Sequence, residues 1–240
     1  MEAEKPICIS DVANLVAALE HDVKLRGVVL PDEYFYSSLP LCIIDAVFSI
    51  NARYQGVRNV IYRYCHHFRM NQYREDRNKL PDPDKQQPVG QFLATIEAVG
   101  PEVFATEILK NRQRTSSRNG ILKSEAVLQF GRVLQAHGIE YFQDVTSAVN
   151  DEQLCQAIKS IPGQRSGISL QYFFMLSGSD DLIKPDRMIQ RYLERVVRRH
   201  LTEADAQRLV SDATRQLQSQ NPNLTVRLLD YQIWDFQRKQ

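Results

Sequence analysis

The residues best suited to chemistry fall between Asp151 and Arg199. Ile161-Pro162-Gly163-Gln164-Arg165-Ser166-Gly167 separates a short amphipathic stretch from the apolar run 168–176, and Lys184-Pro185-Asp186 follows. Pro162 and Gly163 stop the first helix, and two glycines permit a tight turn into the second. Such a turn aims consecutive backbone N–H groups outward at a helix start. That is an anion site made of main chain, and Arg165 adds positive charge to it. Asp186 opens the next helix, where a carboxylate caps free N–H groups and stays ionised.

Basic side chains gather in two further places. Lys110, Arg112, Arg114, Arg118 and Lys123 lie in one stretch with Thr115, Ser116, Ser117 and Asn119 and no acid among them. This composition suits a phosphate backbone, and equally a solvated loop. Arg187, Arg191, Arg195, Arg198 and Arg199 follow Asp186, with 187, 191 and 195 on one helical face, where Glu194 can pair with some of them. His66, His67 and His137 have no partner at metal-ligand spacing. Phosphate-loop, nucleophile-elbow, zinc-protease and dinucleotide signatures are all missing.

The elements that must position these groups read as helices throughout. Ser10-Asp11 starts an amphipathic helix to about Leu25, closed by Gly27. Further helices are expected over about 40–50, 54–68, 89–98, 101–109 and 123–137, with Gly138 as a C-cap. Asp151 caps the helix before the turn, Asp186 one running to about His200, and Thr202 another; the last spans about 224–236. Residues 69–87, with Pro81 and Pro83, read as an exposed, partly mobile loop. No stretch alternates as a strand does, so the fold class is all-α with about ten helices.

Composition bounds the rest. At 240 residues, 43% hydrophobic and 25% charged, the chain can bury a large core and is not a disordered polymer. A net charge of +1 neither requires nor excludes nucleic acid, because a binding face needs only a local excess. No run approaches a membrane span and no signal-like leader is evident, so the expectation is a cytoplasmic protein. Cys8, Cys42, Cys65 and Cys155 are scattered without a CxxC pair and read as thiols, mostly buried.

Ile161-Pro162-Gly163 followed by a helix, then an acid opening the next helix 186 − 163 = 23 residues on, resembles the helix-hairpin-helix DNA glycosylase superfamily, the group of endonuclease III, adenine glycosylase and alkyladenine glycosylase. Residues 41–51, Leu-Cys-Ile-Ile-Asp-Ala-Val-Phe-Ser-Ile-Asn, are similar to that family's early helix ending in Leu-Ser-x-Gln, and Lys123-Ser124-Glu125-Ala126 to its Lys-Ala-x-x-Ile helix. The resemblance spans about residues 38–235. Three positions depart from the pattern: Arg165 stands at the second hairpin glycine, and Arg187-Met188 replaces the Thr-His after the acid.

The resemblance implies a single two-lobed helical unit, lobe A about 1–37 with 188–240 and lobe B about 38–187, with the substrate cleft between lobes. It implies a monomer that binds double-stranded DNA, bends it, flips a base and hydrolyses the N-glycosidic bond, with no cofactor and no metal. Asp186 becomes the catalytic carboxylate, stabilising an oxocarbenium-like sugar, a use compatible with capping. Gly163, Gln164, Arg165, Ser166 and Gly167 become a phosphate clamp, with Lys184, Arg187, Arg53, Arg118 and Lys123 as further DNA contacts. Asn51 falls at the wedge that fills the gap left by an extruded base, or is an ordinary helix-end Asn. Tyr34, Phe35, Tyr36, Phe48 and Tyr172 are candidates for a base pocket by stacking, or plain core. Gly167 occupies the place of the nucleophilic lysine of bifunctional relatives, which implies hydrolysis to an abasic site without strand cleavage. The rival expectation is a non-catalytic DNA-binding protein that kept the hairpin. The excised base is open: alkylated, deaminated, or a bulky modified pyrimidine of phage DNA, the last making the enzyme one of antiviral defence.

Overall fold

Every regular element among the described residues, 6–240 of this computed structural model, is helical. Pairing of the β type is confined there to two isolated bridges, Tyr36 with Tyr73 and Arg114 with Leu122. The helices are α1 Ile9–Asp22, α2 Leu39–Phe48, α3 Tyr54–Phe68, α4 Val89–Val99, α5 Pro101–Val103, α6 Lys123–Ala136, α7 Glu152–Ser160, α8 Ile168–Ser177, α9 Arg187–Val197, α10 Glu203–Leu217 and α11 Val226–Gln237. The fold is all-α.

The chain divides into two compact units, Asp32–Gly178 and residues 6–31 with Ser179–Gln240. The boundaries lie at 31/32 and 178/179, where the sequence reading has about 37/38 and 187/188, and Lys184 and Asp186 fall in the smaller unit with α9. In the larger unit α2 is buried on all sides, packed by α3, α4, α6 and α8. Its sequence explains this, since every residue of α2 but Asp45 is apolar. Phe130 of α6 meets Phe173 of α8, ring centroids 5.5 Å apart. In the smaller unit α1 packs on α9 and α10, and α11 on the same two helices. Tyr192 and Phe236 join α9 to α11 edge to face at 5.9 Å. Trp234, on α11, stacks on Tyr231 at 6.2 Å under the Arg238 guanidinium.

Several ends differ from expectation. α1 stops at Asp22 because Val23 is already extended, and α9 stops at Val197 where Arg198 turns left-handed. The expected helix 101–109 is one α turn that widens into a π-helix, Phe104–Ile108. Phe104 packs there edge-on against Tyr64 and Phe92. Residues 69–87 are mostly exposed, as expected, and are tied down at Arg74 and Gln86. Arg74 covers the Phe142 ring, Gln86 Nε2 donates to Pro81 O at 2.7 Å, and the Phe142 N–H donates to Gln86 Oε1. Cys42 and Cys65 are buried, Cys8 exposed and Cys155 half-buried, all as thiols; burial raises Cys65 to about 12. No helix among the described residues is long and apolar enough to cross a membrane.

Candidate functional site

In the larger unit the 161–167 turn is two successive tight turns. Gln164 N–H donates to Ile161 O and Gly167 N–H to Gln164 O, each at 2.9 Å. Gly163 and Gly167 take φ of 89° and 78°, which other residues adopt only with strain. Ser166 Oγ accepts the Ile168 N–H at 3.4 Å. Among the described residues the N–H groups of Arg165, Ser166 and Ser169 have no protein partner. Gly163, Arg165 and Ser166 are exposed. Gln164 is not, at 1% exposure with its amide unbonded in the interior, and Gly167 is covered by Lys159. Those two therefore cannot serve as the surface contacts expected of them.

Residues 111–122 form a folded loop against this turn. Thr115 N–H donates to Ile121 O at 2.9 Å, Ile121 N–H to Thr115 Oγ1 at 3.2 Å, and Arg114 Nε to Gly120 O at 2.8 Å. A Cβ on Gly163 would stand 2.3 Å from the Thr115 Cβ, so the loop and the turn share one surface. Its charge is smaller than the sequence suggests, because Lys110 pairs with Glu107 and Arg112 with Glu102. Arg118 and Arg165 are exposed and carry no ion pair among the described residues.

At the end of α2, Asn51 is exposed and left-handed with φ 50°, and exposed Arg53 precedes α3. Lys123, expected at the surface, is 2% exposed. Its Nζ donates to Phe48 O at 2.8 Å, Ile50 O at 2.7 Å and Gln113 Oε1 at 3.4 Å. An ammonium so enclosed cannot reach a phosphate.

The expected base-pocket aromatics are mostly core. Tyr34, Tyr36, Phe48 and Tyr172 are buried; only Phe35 is half-exposed, beneath the Arg74 and Arg77 guanidinium groups. Rings closed on both faces offer no stacking platform. Tyr34 and Tyr172 meet edge to face at 6.5 Å, and Tyr36 Oη donates to Asp45 Oδ2 at 2.8 Å. Asp45 is wholly buried. Burial first, then the Asp45 charge, pushes the Tyr36 and Tyr54 hydroxyls far above the ordinary tyrosine value.

In the smaller unit Asp186 caps α9: Oδ1 accepts the Met188 N–H at 2.8 Å and the Ile189 N–H at 3.2 Å. Both bonds fall on one oxygen, and among the described residues Oδ2 has no hydrogen-bond partner. The segment leading to Asp186 is pinned by three side chains. Arg227 of α11 reaches Asp180 at 2.7 Å, Asp230 accepts the Lys184 N–H at 2.9 Å, and Gln207 of α10 bonds the Ile183 N–H and Asp181 O, both at 2.9 Å. Asp230 is 3% exposed; burial, then the Asp186 charge, pushes its carboxyl well above the ordinary value. Arg195 of α9 pairs with Asp22 and Arg199, just past its end, with Asp11, whereas Arg187 and Arg191 are exposed. Glu194 engages His200 and the Leu201 N–H instead of an arginine.

Sequence reasoning missed Asp230, Thr115 and Lys159 as supports, and missed the burial of Asp45. Asp45 had a signal, being the one charge in an apolar helix; an acid beside Leu228 and Leu229 was a fainter signal for Asp230.

Residues 13–238 match the model of a family described as "Domain of unknown function (DUF8548)". The chain belongs to that family. No curated protein and no solved structure matches it.

Proposed function

We propose that the protein is a monofunctional DNA glycosylase, a divergent helix-hairpin-helix enzyme acting as a monomer on duplex DNA in the cytoplasm. The observation that carries this reading is Asp186, whose Oδ1 is fixed by two capping bonds while Oδ2 has no hydrogen-bond partner among the described residues. A carboxylate held by its own helix start, on a segment pinned from α10 and α11, is the rigid negative group that an oxocarbenium-like sugar requires. The exposed N–H groups of Arg165 and Ser166, with Arg118, Arg53 and Asn51, supply duplex contacts on the other unit. Glycine at 167 brings no amine, so water attacks the sugar and the strand stays whole.

The base is of one of three classes, alkylated, deaminated or a bulky modified pyrimidine, and the role is accordingly repair or defence against foreign DNA. Incubation with genomic DNAs of differing modification, with released bases identified by mass spectrometry, tests this. On the substrate so found, Asp186→Asn should keep duplex affinity and melting temperature while single-turnover release falls by about two to three orders of magnitude. Release near the wild-type rate would remove the catalytic assignment. A non-catalytic DNA-binding protein is the second reading. It draws on the two capping bonds, which by themselves give Asp186 a structural reason to be present.

A further inference from the structure

Lys123 sits where local rules disfavour it. It is the first residue of α6, so its cation lies at the positive end of that helix dipole, and it is almost fully buried. The compensation is tertiary. Phe48 O and Ile50 O belong to the C-terminal end of α2 and the turn leaving it, where carbonyls lack helical partners and the dipole is negative. The third acceptor, Gln113 Oε1, stands at the base of the 111–122 loop, and the Lys123 N–H also donates to Gln113 O at 2.8 Å. Ile50 directly precedes the left-handed, exposed Asn51. The same loop places Thr115 on Gly163 of the 161–167 turn. One path of contacts thus runs from Asn51 through Lys123, Gln113 and Thr115 to Gly163, all within one unit.

We propose that Lys123 is a positioning residue, a buried strap that holds the Asn51 turn in register with the 161–167 turn so that Asn51 can enter a duplex gripped by the latter. The inference rests on the glycosylase reading for what the Asn51 turn does, and on the bonds of Lys123 alone for what holds it. A local rule is broken at Lys123, and its ammonium ties the end of α2 and the turn leaving it, through Phe48 O and Ile50 O, to Gln113 of the loop that packs on the 161–167 turn.

The test uses the full chain with Lys123→Met, which keeps stem length and apolar bulk and removes the ammonium. Without DNA, amide hydrogen exchange should quicken in residues 49–54 and in 113–122 together. The probe for insertion is a duplex carrying an abasic-site analogue beside 2-aminopurine, whose fluorescence rises when the gap is entered. Lys123→Met and Asn51→Ala should each reduce that rise several-fold and to the same extent, and the double variant should lose no more than either. Base release should fall about a hundredfold, the scale of a displacement of order 1 Å, while duplex affinity stays within about threefold. A salt slope lowered by about one would make Lys123 a direct phosphate contact and overturn the strap. Losses that multiply in the double variant would overturn it too. Should the wild type give no fluorescence rise, the glycosylase reading fails, and the exchange arm still decides: unchanged exchange in both segments refutes the strap. If Lys123→Met does not fold, Gln113→Leu cuts only the link to the loop; a fluorescence rise equal to wild type would then refute the strap.

Discussion

Replacing Gly163 by alanine tests whether the 111–122 loop and the 161–167 turn are one surface. The added methyl meets two obstacles. At φ 89° any side chain is strained, by about 1–2 kcal/mol, and the new Cβ would lie 2.3 Å from the Thr115 Cβ, an overlap of the kind that destabilises by about 1–3 kcal/mol. Together they should lower stability by about 3 kcal/mol, or about 10 °C in melting temperature for a chain of this size. Thr115→Gly separates the two terms. Alone it removes the Oγ1 acceptor of the Ile121 N–H, for about 1 kcal/mol, and leaves Gly163 unopposed. In the double variant the overlap is gone and only the φ strain remains, so the pair should be more stable than the sum of the singles by about 1–3 kcal/mol. Urea unfolding followed by circular dichroism measures all four corners of the cycle. Additivity within about 0.5 kcal/mol would show that loop and turn do not touch, and the shared surface would have to be abandoned.

Arg165→Ala and Arg118→Ala should each reduce the slope of log affinity against log salt by about one, with the same loss on duplexes of any sequence; binding isotherms at several salt concentrations read this, and an unchanged slope removes the residue from the interface. Asp230→Asn should show a pH-dependent gain. The folded carboxyl is raised above its unfolded value near about 3.9, so its stabilising effect is complete below that pH and is lost as pH rises through the raised value. The variant should therefore gain melting temperature relative to wild type on going from about pH 4 to neutrality, and a difference independent of pH would show that Asp230 is not held protonated. Borohydride should trap no protein–DNA adduct. An adduct would mean lyase chemistry, with Lys159 the first suspect, because its Nζ lies 3.7 Å from where a Cβ on Gly167 would be.

The helix class was legible because its signals are local. Asp151, Asp186 and Thr202 each cap a helix through the side chain, as their positions ahead of apolar periodicity imply, and Gly138 turns left-handed after α6. What sequence could not convey is which charges find partners. Arg112 and Arg195 look like free cations in a linear reading; Glu102 and Asp22, ten or more residues away, neutralise them. Lys123 reads as one more surface cation of the 110–123 stretch, yet it is buried on two backbone carbonyls over seventy residues upstream, which leave no mark on sequence. The aromatic group 34–36 shows the converse. Its residues are open to both readings in sequence, and burial holds for Tyr34 through Tyr172 of α8, and for Tyr36 through Asp45 of α2 and the Tyr73 ring, all distant along the chain.

Trp234 has a practical consequence. It is the chain's single tryptophan, and it sits on α11 in the smaller unit, stacked on Tyr231. Emission excited at the red edge of protein absorbance therefore watches residues 6–31 and 179–240, while Asp32–Gly178 is silent in that channel and visible in circular dichroism. Fluorescence thus follows the smaller unit alone, whereas circular dichroism follows the helices of both. Unfolding curves that coincide in both channels would mean one cooperative transition, and curves that part would give each unit its own midpoint without any label.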